Sequence, residues 1–130
     1  MLIHRVAMIL RIGATICFLS AVAILVKPDS VATFIGVDEL TLSKEFIWLL
    51  RCLALALLVI AVLAPLIASF GGERGLRQCA SAMAGISFLG IVLLVVSPTA
   101  WVVGKLSVCA GLLVFCVLYL YALRGRRRNR

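Results

Sequence analysis

Few residues in this sequence can do chemistry, and most of those that can are cations. Arg51 stands about a turn and a half inside an otherwise apolar run, Phe46 to Phe70, and Lys105 lies at a similar depth in the run Trp101 to Leu123. A charge held in hydrocarbon costs about 3 kcal/mol on insertion scales unless it is paired or reaches water. Glu45, Glu39 and Asp38 are the available partners. The expectation is a small polar cluster of Arg51, Lys105, Glu45, Glu39 and Asp38 at the outer mouth of a helical bundle. Snorkelling to the headgroups is the alternative for Arg51. Arg11 poses the same problem in the first apolar run, where snorkelling to the near surface suffices.

Cys17, Cys52, Cys79, Cys109 and Cys116 invite a redox reading, but no two have the C-x-x-C spacing and all fall in or beside apolar runs. There, cysteine serves as a small hydrophobe. Cys109 and Cys116 share a helix face but stand too far apart for an intrahelical bridge. His4 is the single histidine, so neither a bis-histidine haem nor a structural zinc set can be assembled, and no cofactor is expected. Every acid lies in a loop or at a helix end, whereas proton-coupled pumps place a carboxylate within the membrane. No catalytic residue emerges.

The elements that must carry these residues follow from composition. Of 130 residues, 65% are hydrophobic, and the mean hydropathy is +1.24. Soluble domains are about half apolar, so a soluble fold of this chain would expose large apolar patches and aggregate. Four apolar runs, about residues 6–26, 46–70, 78–97 and 101–123, are each long enough to cross a bilayer, which takes about 20 residues per helix. They use most of the chain and leave a single domain, an all-α bundle of four antiparallel transmembrane helices with a basic tail, 124–130. The first run also fits a signal peptide, with His4, Arg5 and Arg11 before Ala21-Val22-Ala23. Its continuation through Ile24-Leu25-Val26 favours a span.

Between the first two runs the chain turns polar and carries four of its five acids, Asp29, Asp38, Glu39 and Glu45. Pro28 is placed to open a short helix and Gly36 to close it, with Val31, Ala32, Phe34 and Ile35 giving it an apolar side for the membrane surface. Pro65 should bend the second span, and Gly71 to Arg77 should form a tight basic turn. The link after Ser97 is so short that the last two spans must form an antiparallel hairpin.

Charge sets the expected orientation. Arg5 and Arg11, then Arg74 and Arg77, then the tail arginines fall on one side, and the acidic loop and the uncharged link fall on the other. By the positive-inside rule both termini are cytoplasmic. Trp48 and Trp101 at the outer ends of their helices, and Tyr119 and Tyr121 at the inner end of the last, read as interfacial aromatics and agree. The net charge of +8 raises nucleic acid as a partner. Its concentration in Arg124, Arg126, Arg127, Arg128 and Arg130, directly after a span and without a recognition module, points instead to anionic lipid at the cytoplasmic face.

Small residues allow helices to approach closely in lipid, and Gly13, Ala61, Gly85, Gly104 and Gly111 are the expected packing positions. An offset of 70 residues aligns Phe18-Leu19 with Phe88-Leu89 and Pro28 with Pro98, a hint that the two hairpins are parallel repeats. Arg11-Ile12-Gly13, Pro28 with Phe34-Ile35-Gly36-Val37, and Leu49-Leu50-Arg51 resemble small four-helix bacterial membrane proteins of the broad DoxX-like kind. The resemblance covers the first half of the chain. It implies a four-helix fold in the bacterial inner membrane and carries over no catalytic residue. Three functional classes follow: an accessory or structural membrane protein, associated with itself or another membrane protein; an oligomeric carrier or lipid-binding or small-solute-binding protein; and, last, a membrane enzyme.

Overall fold

The computed structural model describes residues 2–124, and four of its helices are long and apolar enough to cross a membrane. α1 spans Leu2–Val26, α2 Pro28–Ile35, α3 Lys44–Phe70, α4 Glu73–Val96 and α5 Val103–Arg124, with a single 3-10 turn at Glu39–Thr41. No strand occurs among the described residues. The all-α architecture of four spans with a short helix between the first two is therefore as the apolar runs require.

The helix ends show how the sequence sets these limits. Pro28 opens α2, where its missing N–H is no loss. Gly36 closes α2 at φ 93°, and Val37 N–H donates to the Ala32 carbonyl in a Schellman turn that only a residue at ease with positive φ permits. Ser43 caps α3 by accepting from Phe46 N–H at 3.2 Å. Helix α3 continues through Pro65 to Phe70. The expected turn from Gly71 to Arg77 is shorter in the structure. Only Gly71 and Gly72 link α3 to α4, and Arg74 and Arg77 already lie in the first turns of α4.

The spans pack as two hairpins, α1 along α3 and α4 along α5, with sparser contact between the pairs. Val6 and Leu10 from α1, Ala64 from α3, Leu76 and Ala80 from α4, and Tyr119 and Ala122 from α5 form one buried cluster. It joins all four spans in the half of the bundle where α1 begins and α5 ends. We call this the basic end, since Arg5, Arg74, Arg77 and Arg124 belong to it. A second cluster, Ala21, Ile24, Ala32, Leu50 and Ala54, lies in the opposite half and draws only on α1, α2 and α3. This acidic end carries α2, the 3-10 turn and the α4–α5 link. There the two hairpins meet where α2 touches α5. A Cβ on Gly104 would run into the Phe34 backbone, and one on Gly36 would stand 2.8 Å from the Ala100 carbonyl oxygen. The large apolar residues left exposed, among them Phe88, Leu89, Leu113 and Val117, are those that a bilayer would cover.

Candidate functional site

Lys105 is the most completely buried charge in the described chain, at 0% exposure. Its ammonium donates to the Ser97 carbonyl at 3.2 Å and the Thr99 carbonyl at 3.1 Å, and lies 4.6 Å from the centre of the Trp101 ring. Ser97 is the C-terminal cap of α4, so the lysine sets its charge at the negative end of that helix dipole and occupies carbonyls the helix leaves free. The Trp101 face adds a cation–π contact. Lys105 thus ties the α4–α5 link to α5 through two backbone carbonyls and the Trp101 ring, with no carboxylate involved.

The five residues expected to share an outer polar cluster do not converge. Lys105 is engaged as above. Arg51 is exposed on α3, and among the described residues no carboxylate pairs with either cation. Asp38 caps the 3-10 turn, its carbonyl accepting from Thr41 Oγ1 at 2.7 Å, and Glu45 lies exposed in the first turn of α3. There its carboxylate suits the positive helix end. Glu39 instead lines, with Asp29, Ser30, Thr33, Leu42 and Ile47, a shallow groove of about 360 Å³. Arg51 lies one turn below Ile47 on the same face of α3.

The packing positions divide. Gly13 meets α5 closely, since a Cβ there would lie 3.0 Å from the Tyr119 hydroxyl and 3.6 Å from the Phe115 ring. Gly104 meets α2, and Ala61 is buried on α3. Gly85 and Gly111 are each exposed, with none of the described residues within 4 Å of where a Cβ would stand. The bundle rotates both glycines outward, so neither serves contact between the chain's own helices.

Tyr119, expected at the interface, is 1% exposed in the basic-end core, and its hydroxyl has no hydrogen-bond partner among the described residues. Tyr121, two residues on, is exposed as an interfacial aromatic would be. The five cysteines are free, and Cys116 Sγ lies 3.7 Å from the Ala84 carbonyl, a weak contact between α5 and α4. Among the described residues no group of three metal-ligating side chains comes together. Arg124 ends α5 exposed. Arg126, Arg127, Arg128 and Arg130 lie outside the described residues.

Chemically, the Tyr119 hydroxyl aside, the arrangement offers side-chain hydroxyls bonded to their own helices and apolar surface. Ser87 donates to the Met83 carbonyl, Ser107 to Val103, Ser69 to Pro65 and Thr15 to Arg11, each closing on its own helix. Compared with known protein families, with curated proteins and with solved structures, the chain matches none.

Proposed function

We propose that this chain is an accessory membrane protein of the bacterial inner membrane that acts by lateral association in the bilayer, with both termini cytoplasmic. The observation that carries the reading is the outward placement of Gly85 on α4 and Gly111 on α5, where none of the described residues comes within 4 Å of a Cβ position. In lipid, glycine on an exposed helix face permits a neighbouring helix to come close, and the neighbour here is a second copy or another membrane protein. The basic residues at one end, with anionic lipid as their partner, support the orientation.

Native mass spectrometry of the protein extracted in mild detergent tests this. A stoichiometric partner should be retained by the wild type and lost in Gly85→Leu or Gly111→Leu, while the thermal stability of the single chain stays within about 0.5 kcal/mol. Partner retention in both variants would sink the reading. An active periplasmic phosphatase fused after Arg130, with a silent one at Asp38, would reverse the orientation.

A second reading, a protein that binds a lipid or small apolar solute, is favoured by one observation. The core shared by all four spans stops halfway through the bundle, and the acidic-end core contains no residue of α4 or α5.

A further inference from the structure

α1 buries one stripe along its length: Leu10, Gly13 and Ala14 on the basic-end side, Ala21 and Ile24 on the other. Cys17 lies between them on the same face, four residues from Gly13 and from Ala21. By position it should be the best-buried residue of the stripe, yet it is only partly buried. That incompletely covered position falls where the four-span core ends and the acidic-end core begins. Beside it, one turn along α1, stands the hydroxyl of Tyr119, packed against Gly13 and without a hydrogen-bond partner among the described residues. A phenylalanine would fill the same volume without the cost of a buried, unsatisfied donor. Two separate features, an incompletely covered residue in a buried stripe and an unused donor one turn away, call for the same missing group.

We infer that the space at Cys17 is a binding site for an uncharged long-chain lipid bearing a carbonyl or ester oxygen, which accepts a hydrogen bond from the Tyr119 hydroxyl. This rests on the second of the two readings above and gives it a location and a chemistry. The ligand is uncharged because neither nearby cation is free to meet an anion there: Lys105 is engaged with backbone carbonyls, and Arg11 is exposed on another face of α1. It is long-chained because the route in is lateral, from the bilayer through the seam between the hairpins. One acceptor oxygen suffices, since the phenol offers one proton. The hydroxyl is sealed in the empty protein, and the Phe115 ring, 6.3 Å from that of Tyr119, packs beside it against Gly13.

The test compares methyl palmitate, which has the ester oxygen, with hexadecane, which has the chain alone. Each is added to the purified full chain in detergent, in wild type and Tyr119→Phe. Thermal unfolding should show the wild type stabilised more by the ester than by the alkane. Tyr119→Phe should weaken ester binding about tenfold, the scale of one buried hydrogen bond, and leave the alkane unchanged. The empty Tyr119→Phe protein should be at least as stable as the empty wild type, because it loses only an unsatisfied donor. Methyl palmitate should also slow alkylation of Cys17 by N-ethylmaleimide, read residue by residue by mass spectrometry, without slowing that of the exposed Cys52. Equal stabilisation by ester and alkane in both proteins would overturn the Tyr119 contact while leaving an apolar-binding protein. No stabilisation by either, with Cys17 unprotected, would remove the site and the reading beneath it together. A less stable empty Tyr119→Phe with undiminished ester binding would overturn the inference by giving the hydroxyl a partner inside the protein.

Discussion

The two ends of this bundle are held together by different means. At the basic end, side chains of all four spans interlock in one cluster around Leu10, Ala64, Ala80 and Tyr119. At the acidic end, α1, α2 and α3 share a core, whereas α5 and its link meet α2 at the backbone, the Phe34 main chain against Gly104 and the Ala100 carbonyl against Gly36, with Lys105 fastening the link to α5 on two carbonyls. Side-chain packing spreads its energy over many small contacts and degrades gradually under substitution. Backbone approach depends on the absence of a single carbon atom, so its failure is concentrated at one or two positions. The acidic end should therefore be the more brittle.

Gly104 gives the sharpest break. Any Cβ there meets the Phe34 backbone, which cannot yield as a flexible side chain would. Gly104→Leu should cost about 3 kcal/mol, the upper range for overpacking, and should free α2 from α5, read as faster amide exchange in residues 28–35. A Gly104→Leu protein as stable as the wild type would mean that α2 does not hold the hairpins together. Next in size is Lys105→Met, which keeps most of the side-chain volume but leaves the Ser97 and Thr99 carbonyls without their donor. Charge-assisted hydrogen bonds to buried groups are worth about 2 kcal/mol, so thermal unfolding should register a loss of that order. A neutral result would show that water or lipid satisfies those carbonyls equally well.

Much of the fold was legible in the sequence because its signals are local. Pro28 and Gly36 mark the ends of α2, four apolar runs mark the spans, and the short link after Ser97 makes a hairpin. The site was less legible, for a physical reason. A helix that is apolar all round carries little record of which face turns inward. Gly104 and Gly111 look alike in sequence, yet one meets backbone and the other meets nothing within 4 Å. Lys105 seemed to need a carboxylate because sequence shows charges but not free carbonyls, and its partners lie eight and six residues back along its own chain. Tyr119 looked interfacial from its place near the end of a span. Its burial follows from the meeting of Gly13 with α5, a pairing between distant segments that no local pattern announces. Cys17 did give a signal that could have been followed, since its spacing from Gly13 and Ala21 places it on the inward stripe.

The smallest expected effect belongs to Arg51, and its smallness sharpens the contrast with Lys105. Helix α3 has 27 residues, a length of about 40 Å at about 1.5 Å per residue, against a hydrocarbon thickness of about 30 Å. The segment from Cys52 to Phe70 alone covers about 28 Å. With that segment in the hydrocarbon, Arg51 stands at its edge, and Trp48 lies one turn further out as an exposed interfacial aromatic. A cation at such an edge is hydrated and needs no acidic partner. Arg51→Lys and Arg51→Ala should then both unfold within about 0.5 kcal/mol of the wild type. Pairing Arg51→Ala with Glu39→Ala or Glu45→Ala should give additive losses, because none of these carboxylates contacts the guanidinium. A coupling above about 0.5 kcal/mol in either cycle would mean that the acidic end gathers its charges into a cluster after all. Arg51 would then join Lys105 as a structural cation, and the brittleness assigned to backbone contacts would be shared with an ion pair.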